Sequence, residues 1–133
     1  MRVLIVQSSK SLGAMWQQHI ARQGATADLS LTGADAIARI EAGPYDVIVI
    51  DLLLKEGRAF SVAEIAAFRQ PDASVIFVTR DRFFSDGSVF ALSSNARAMV
   101  SPDTPLDDLA AIVEHYGGPV SPDREARRNP EPD

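Results

Sequence analysis

Asp46-Val47-Ile48-Val49-Ile50-Asp51 decides the fold. Four consecutive β-branched residues stand between two acids, and Gly43-Pro44 breaks the chain just before them. A short continuous apolar run of this kind suits a strand buried on both faces. The closing acid then falls at the strand's carboxyl end.

Two further runs have the same character, Val3-Leu4-Ile5-Val6 and Ser74-Val75-Ile76-Phe77-Val78-Thr79. Thr26 to Leu31 predicts a weaker strand and Ala96 to Val100 a fifth. The segments between them carry a helical period. Ser11 is positioned to cap a helix with apolar residues Leu12, Met15, Trp16 and Ile20, ended by Gly24. Thr32 followed by Asp35 opens a second helix through Ala34, Ile37, Ala38 and Ile40. A third lies between Phe60 and Phe68, stopped before Pro71.

Thr104 is placed to cap a last helix, with Pro105 at its first position and Asp107 and Asp108 in its first turn. Leu106, Leu109, Ala110, Val113 and Tyr116 line one side, and Gly117 follows the end. In the stretch from Arg80 to Asn95, Asp86-Gly87 marks a turn and Val89 to Leu92 the start of a short helix. Phe83 and Phe84 sit there in a polar loop, where one aromatic can pack inward while the other anchors a partner. The expected fold class is α/β, a (βα)5 doubly wound five-stranded parallel sheet in three layers, α/β/α. Ligands of such sheets gather beyond the carboxyl ends of the strands. Those ends are Gln7-Ser8, Asp51, Thr79 and Ser101.

Composition narrows the function. The 133 residues suit one domain, expected over 1–118 and followed by a polar tail over 119–133. In that tail Ala126 is the one apolar residue after Val120, too little to offset the entropy of ordering it. There is no cysteine, which excludes disulfides and thiolate metal sites and fits the cytosol. His19 and His115 are far apart in sequence, so a histidine zinc site is not expected. His19 belongs beside the apolar stripe of the first helix, and His115 near the end of the last. No signal peptide or membrane-length apolar run is present. A net charge of −5 argues against general nucleic-acid binding.

The segments VLIVQSSK (3–10), YDVIVIDLLL (45–54), SVIFVTR (74–80) and NARAMVSPDTPLDDLAAI (95–112) resemble, in order and spacing, the receiver domain of response regulators. The likeness spans roughly residues 1–116 and implies the flavodoxin-like fold of the chemotaxis-regulator kind. It implies that Asp51 is the phospho-acceptor, with Thr79 as the switch hydroxyl. It also implies that the Leu53 carbonyl stands where the family has a carbonyl metal ligand. The implied partners are a sensor histidine kinase or phosphotransfer protein and a protein target, with a homodimer as one further form.

The departures are as informative. The family's acidic pair is replaced by Gln7 and Ser8, leaving Asp51 the one charged metal ligand and Mg²⁺ weakly bound or absent. Ser101, before Pro102, stands where the family has lysine, and Met99, or Ala98 in the other register, where it has an aromatic. Arg80 replaces a small residue. Arg80 and Lys10 are candidate charge substitutes, able to pair with Asp51, and Arg80 also to receive a phosphate.

The expected function is therefore a stand-alone, atypical receiver of a two-component or phosphorelay system, acting by protein–protein contact and not as an enzyme. One alternative is a small-ligand-binding or enzymatic flavodoxin-like domain. The Ser-rich loop from Gln7 to Gly13 could cradle an anion, yet it lacks phosphate-loop spacing, and no nucleophile–base pair is evident. The other is a phosphorylation-independent dimerisation module.

Overall fold

The computed structural model describes residues 1–55, 58–80 and 94–117. The expected turn at Asp86-Gly87, the helix at Val89 to Leu92, Phe83, Phe84 and the polar tail all lie outside the described residues.

Five strands form one parallel sheet: β1 (Arg2–Val6), β2 (Thr26–Ser30), β3 (Val47–Asp51), β4 (Ser74–Val78) and β5 (Ala96–Val100). Their spatial order is β2-β1-β3-β4-β5. The described helices are α1 (Lys10–Ala21), α2 (Gly33–Ala42), α3 (Ala59–Arg69) and α4 (Leu106–Gly117). Alternate strand residues face opposite layers. Leu4, Val6, Ile48, Ile50, Val75 and Phe77 pack on α2 and α3 through Ala36, Ile40, Val62 and Ala66. Val3, Ile5, Val47, Val49, Ile76 and Val78 pack on α1 and α4 through Trp16, Ile20, Leu109 and Val113. Two apolar faces on one sheet explain why β1, β3 and β4 are continuous apolar runs and not alternating ones.

Local chemistry sets the helix ends. Ser9, not Ser11, caps α1, its Oγ accepting from Leu12 N–H at 3.3 Å. Thr32 Oγ1 caps α2 through Asp35 N–H at 3.1 Å. Gly24, at φ +91°, makes the turn after α1 that an L-residue resists. Gly117 closes α4 from within instead of following it. A Cβ there would lie 2.5 Å from Val47 Cγ2, so glycine lets the helix end approach the sheet.

β5 joins with a bulge. Val75 pairs with Ala96, then Ile76 with Ala98 and Phe77 with Met99. The extra residue, Arg97, lets both Ala96 and Met99 face the α2–α3 layer, while Ala98 faces the other.

A polar network fastens the far edge. Asp28 accepts from Tyr45 Oη at 2.7 Å and lies 3.6 Å from Arg2, whose guanidinium stacks over the Tyr45 ring. Burial, then the Asp28 hydrogen bond, pushes the Tyr45 hydroxyl above its ordinary value. The hydrogen bond from Ser30 Oγ, then that from Arg39 Nε, holds the Asp35 carboxyl below its ordinary value.

Two outcomes follow from this packing. Phe77 is fully buried and Phe60 is 40% exposed. Phe77→Ala should cost about 3–5 kcal/mol and Phe60→Ala distinctly less, as read from urea midpoints; equal losses would contradict the difference in burial between the two rings. Asp35, with its carboxyl lowered in the folded state, contributes stability above the unfolded value of about 3.9 and loses it as pH falls through the folded value. Asp35→Asn should therefore be less stable than wild type at neutral pH, and the gap should close on acidification.

Candidate functional site

The site forms where the chain order reverses. β1 is flanked by β2 on one side and β3 on the other, the switch point at which doubly wound sheets open a crevice. Val6 pairs with Ile50, so the next residues, Gln7 and Asp51, emerge side by side.

They are bonded to each other. Gln7 Nε2 donates to Asp51 Oδ2 at 2.6 Å. Gln7 Oε1 accepts from Ser9 N–H at 2.9 Å, which fixes which way the amide points. Gln7 N–H donates to Ser30 O at 3.0 Å, so the residue is held from both ends. It is 4% exposed. The other carboxylate oxygen, Asp51 Oδ1, accepts from Leu53 N–H at 2.8 Å. Leu53 thus meets the site through its N–H, while its side chain is exposed. Ser8 Oγ accepts from Lys55 N–H at 2.9 Å, tying the loop after β1 to the loop after β3.

At the other strand ends, Thr79 is buried and its N–H donates to Val100 O at 2.9 Å. Met99 is half-buried against the α2–α3 layer beside Phe77. Ser101 is exposed, and its Oγ accepts from Asp103 N–H at 3.1 Å.

The cations are not where the sequence suggested. Arg80 pairs with Asp103, Nη2 to Oδ1 at 3.0 Å, and not with Asp51. Lys10 opens α1, is exposed and makes no ion pair among the described residues. The physical reason is that both Asp51 oxygens already accept from uncharged donors, while Asp103 offers Arg80 a carboxylate in solvent.

Gln7 as a donor and Asp103 as a partner were missed in the sequence. A glutamine in a ligand position looks like a gap, although its amide is a donor. Asp103 lies two residues after Ser101, and that spacing was the available signal. Among the described residues no group of three His, Cys, Asp or Glu side chains is placed to hold a metal. No described helix is long and apolar enough to cross a membrane.

No family model matches the chain. The transcriptional regulatory protein DltR of Streptococcus agalactiae is 30% identical over 113 residues, 85% of this chain and 50% of that protein. TcrA of Mycobacterium tuberculosis, also a transcriptional regulatory protein, is 24% identical over 121 residues, 90% of this chain and 47% of that protein. The chain thus spans about half the length of these curated relatives.

Among solved structures, the receiver domain of a putative LuxO repressor protein from Vibrio parahaemolyticus superposes with a TM-score of 0.81. It is 23% identical and covers 99% of this chain and 98% of its own. A CheY-like receiver domain protein from Methanospirillum hungatei gives 0.77 at 23% identity, over 86% of this chain and 90% of its own. TrrA of Thermotoga maritima, in complex with Mg²⁺-BeF, gives 0.74 at 18% identity, over 86% and 97%. The strand order, the acid closing β3 and these likenesses agree: the chain has the fold of the CheY-like receiver domains and is similar to response regulators.

Proposed function

We propose that this receiver is a protein–protein signalling module with Asp51 as its phospho-acceptor, in an atypical site that does not depend on Mg²⁺. The hydrogen bond from Gln7 Nε2 to Asp51 Oδ2 carries this reading. Mg²⁺ demands near-octahedral oxygen ligation and gives up its water reluctantly. Among the described residues the site offers it one carboxylate. Gln7 Oε1 is occupied by Ser9 N–H, and Ser8 Oγ by Lys55 N–H. This donor set does not fit a divalent cation.

The amide takes over part of the cation's place, putting a partial positive charge on the carboxylate and fixing its orientation. Its partners are a sensor histidine kinase or phosphotransfer protein upstream and a protein target downstream. A cavity of about 490 Å³, lined by Arg2, Tyr45, Asp46, Arg69 and Gln70 among others, lies at the opposite ends of the strands.

The test is intact mass after incubation with acetyl phosphate, with Mg²⁺ or with a chelator. Wild type should gain one phosphoryl group at similar rates in both, and Asp51→Asn should gain none. Gln7→Asp combined with Ser8→Asp should make the rate Mg²⁺-dependent. A wild-type rate that collapses in chelator contradicts the metal-independent site, and no gain at all contradicts the acceptor role.

A further inference from the structure

Among the described residues, the carboxyl edge of the sheet holds a carboxylate without a cation and a cation held elsewhere. Asp51 is bound by the uncharged donors Gln7 Nε2 and Leu53 N–H. Arg80 lies two residues past Val78, which is the register partner of Asp51 on β4. Adjacent strands are about 4.8 Å apart and rise about 3.3 Å per residue, so Arg80 starts roughly 8 Å from Asp51. An extended arginine reaching toward a phosphoryl group spans that gap. Its present partner, Asp103, holds it loosely. The two side chains are 66% and 73% exposed, and ion pairs in water contribute little.

We propose that Arg80 is the phosphate-contacting residue of this receiver, exchanging Asp103 for the phosphoryl group on Asp51. The inference rests on Asp51 being the acceptor. With an acyl phosphate as donor, an Asp51 oxygen attacks phosphorus. The P–O bond to the acyl group breaks, and its electron pair leaves with the carboxylate product. An acylphosphate remains on Asp51, and no proton moves. The side chain goes from one negative charge to about two and gains three strong acceptor oxygens.

Gln7 offers that group a dipole, not a charge. A guanidinium supplies both a charge and a planar fork matched to phosphate oxygens. Its departure from Asp103 also has a structural consequence. Asp103 N–H donates to Ser101 Oγ at 3.1 Å, and Thr104 N–H to Ser101 O at 3.0 Å. This turn leads into α4, so the exchange carries the state of Asp51 to the start of that helix.

The full chain is treated with acetyl phosphate, and phosphoryl occupancy and its decay are followed by intact mass. Arg80→Ala should lower occupancy at least about tenfold, the loss of one charge-assisted contact. Arg80→Lys should recover part of it. Asp103→Asn should raise occupancy, because it releases the guanidinium. A merely structural Arg80–Asp103 pair would send Arg80→Ala and Asp103→Asn in the same direction, and that result overturns the proposal. So does an Arg80→Ala variant equal to wild type, or a Lys10→Ala variant that loses as much as Arg80→Ala should. A gain that requires Asp51 but ignores Arg80 defeats this inference alone. No Asp51-dependent gain in wild type defeats the acceptor reading with it.

Discussion

The burial of β1, β3 and β4 on both faces is the constraint from which the rest follows. Val3 to Val6, Val47 to Ile50 and Val75 to Val78 are completely shielded from solvent. A strand with no exposed face must be covered on each side, and here the helices that cover both faces are also the crossovers that parallel pairing needs. Parallel pairing gathers all the carboxyl ends at one edge. Chain order then decides which ends are neighbours. With β1 next to β3, Gln7 and Asp51 meet, and with β4 next to β5, Thr79 meets Val100.

At that edge the chain uses neutral donors where a receiver with an acidic pair would place a cation between carboxylates. Acids beside Asp51 would repel it unless a metal lay between them. Gln7 removes the repulsion and supplies a donor in the same place. Both Asp51 oxygens, both ends of the Gln7 amide and Ser8 Oγ have partners within the protein. Among the described residues, Arg80 and Asp103 pair on the surface, where solvent keeps the pairing weak.

Much of the fold was legible in the sequence because burial on two faces leaves a plain mark, an unbroken β-branched run. The helix signals were less exact. Ser9 and Ser11 are equally good caps by residue type, but Ser9 is the residue still in extended geometry before the helix opens at Lys10. Gly117 looked like a terminator, while its role is close approach to Val47. The β5 register could not be read because a bulge at Arg97 breaks the alternation that would have fixed it. At the site, Asp51, Thr79, Ser101 and Met99 were locatable by strand-end position. The partnerships were not, since a side chain's partner depends on which strands become neighbours. Gln7 therefore looked like a lost ligand, and Arg80 like a partner for Asp51.

The side-chain amide signal of Gln7 in nuclear magnetic resonance tests the central claim most directly. A 2.6 Å bond to a carboxylate in a nearly inaccessible position predicts a shifted, slowly exchanging Nε2 proton. It should be unmoved by Mg²⁺ and lost in Asp51→Ala. A rapidly exchanging Gln7 amide, with site resonances that titrate with Mg²⁺, would contradict the account.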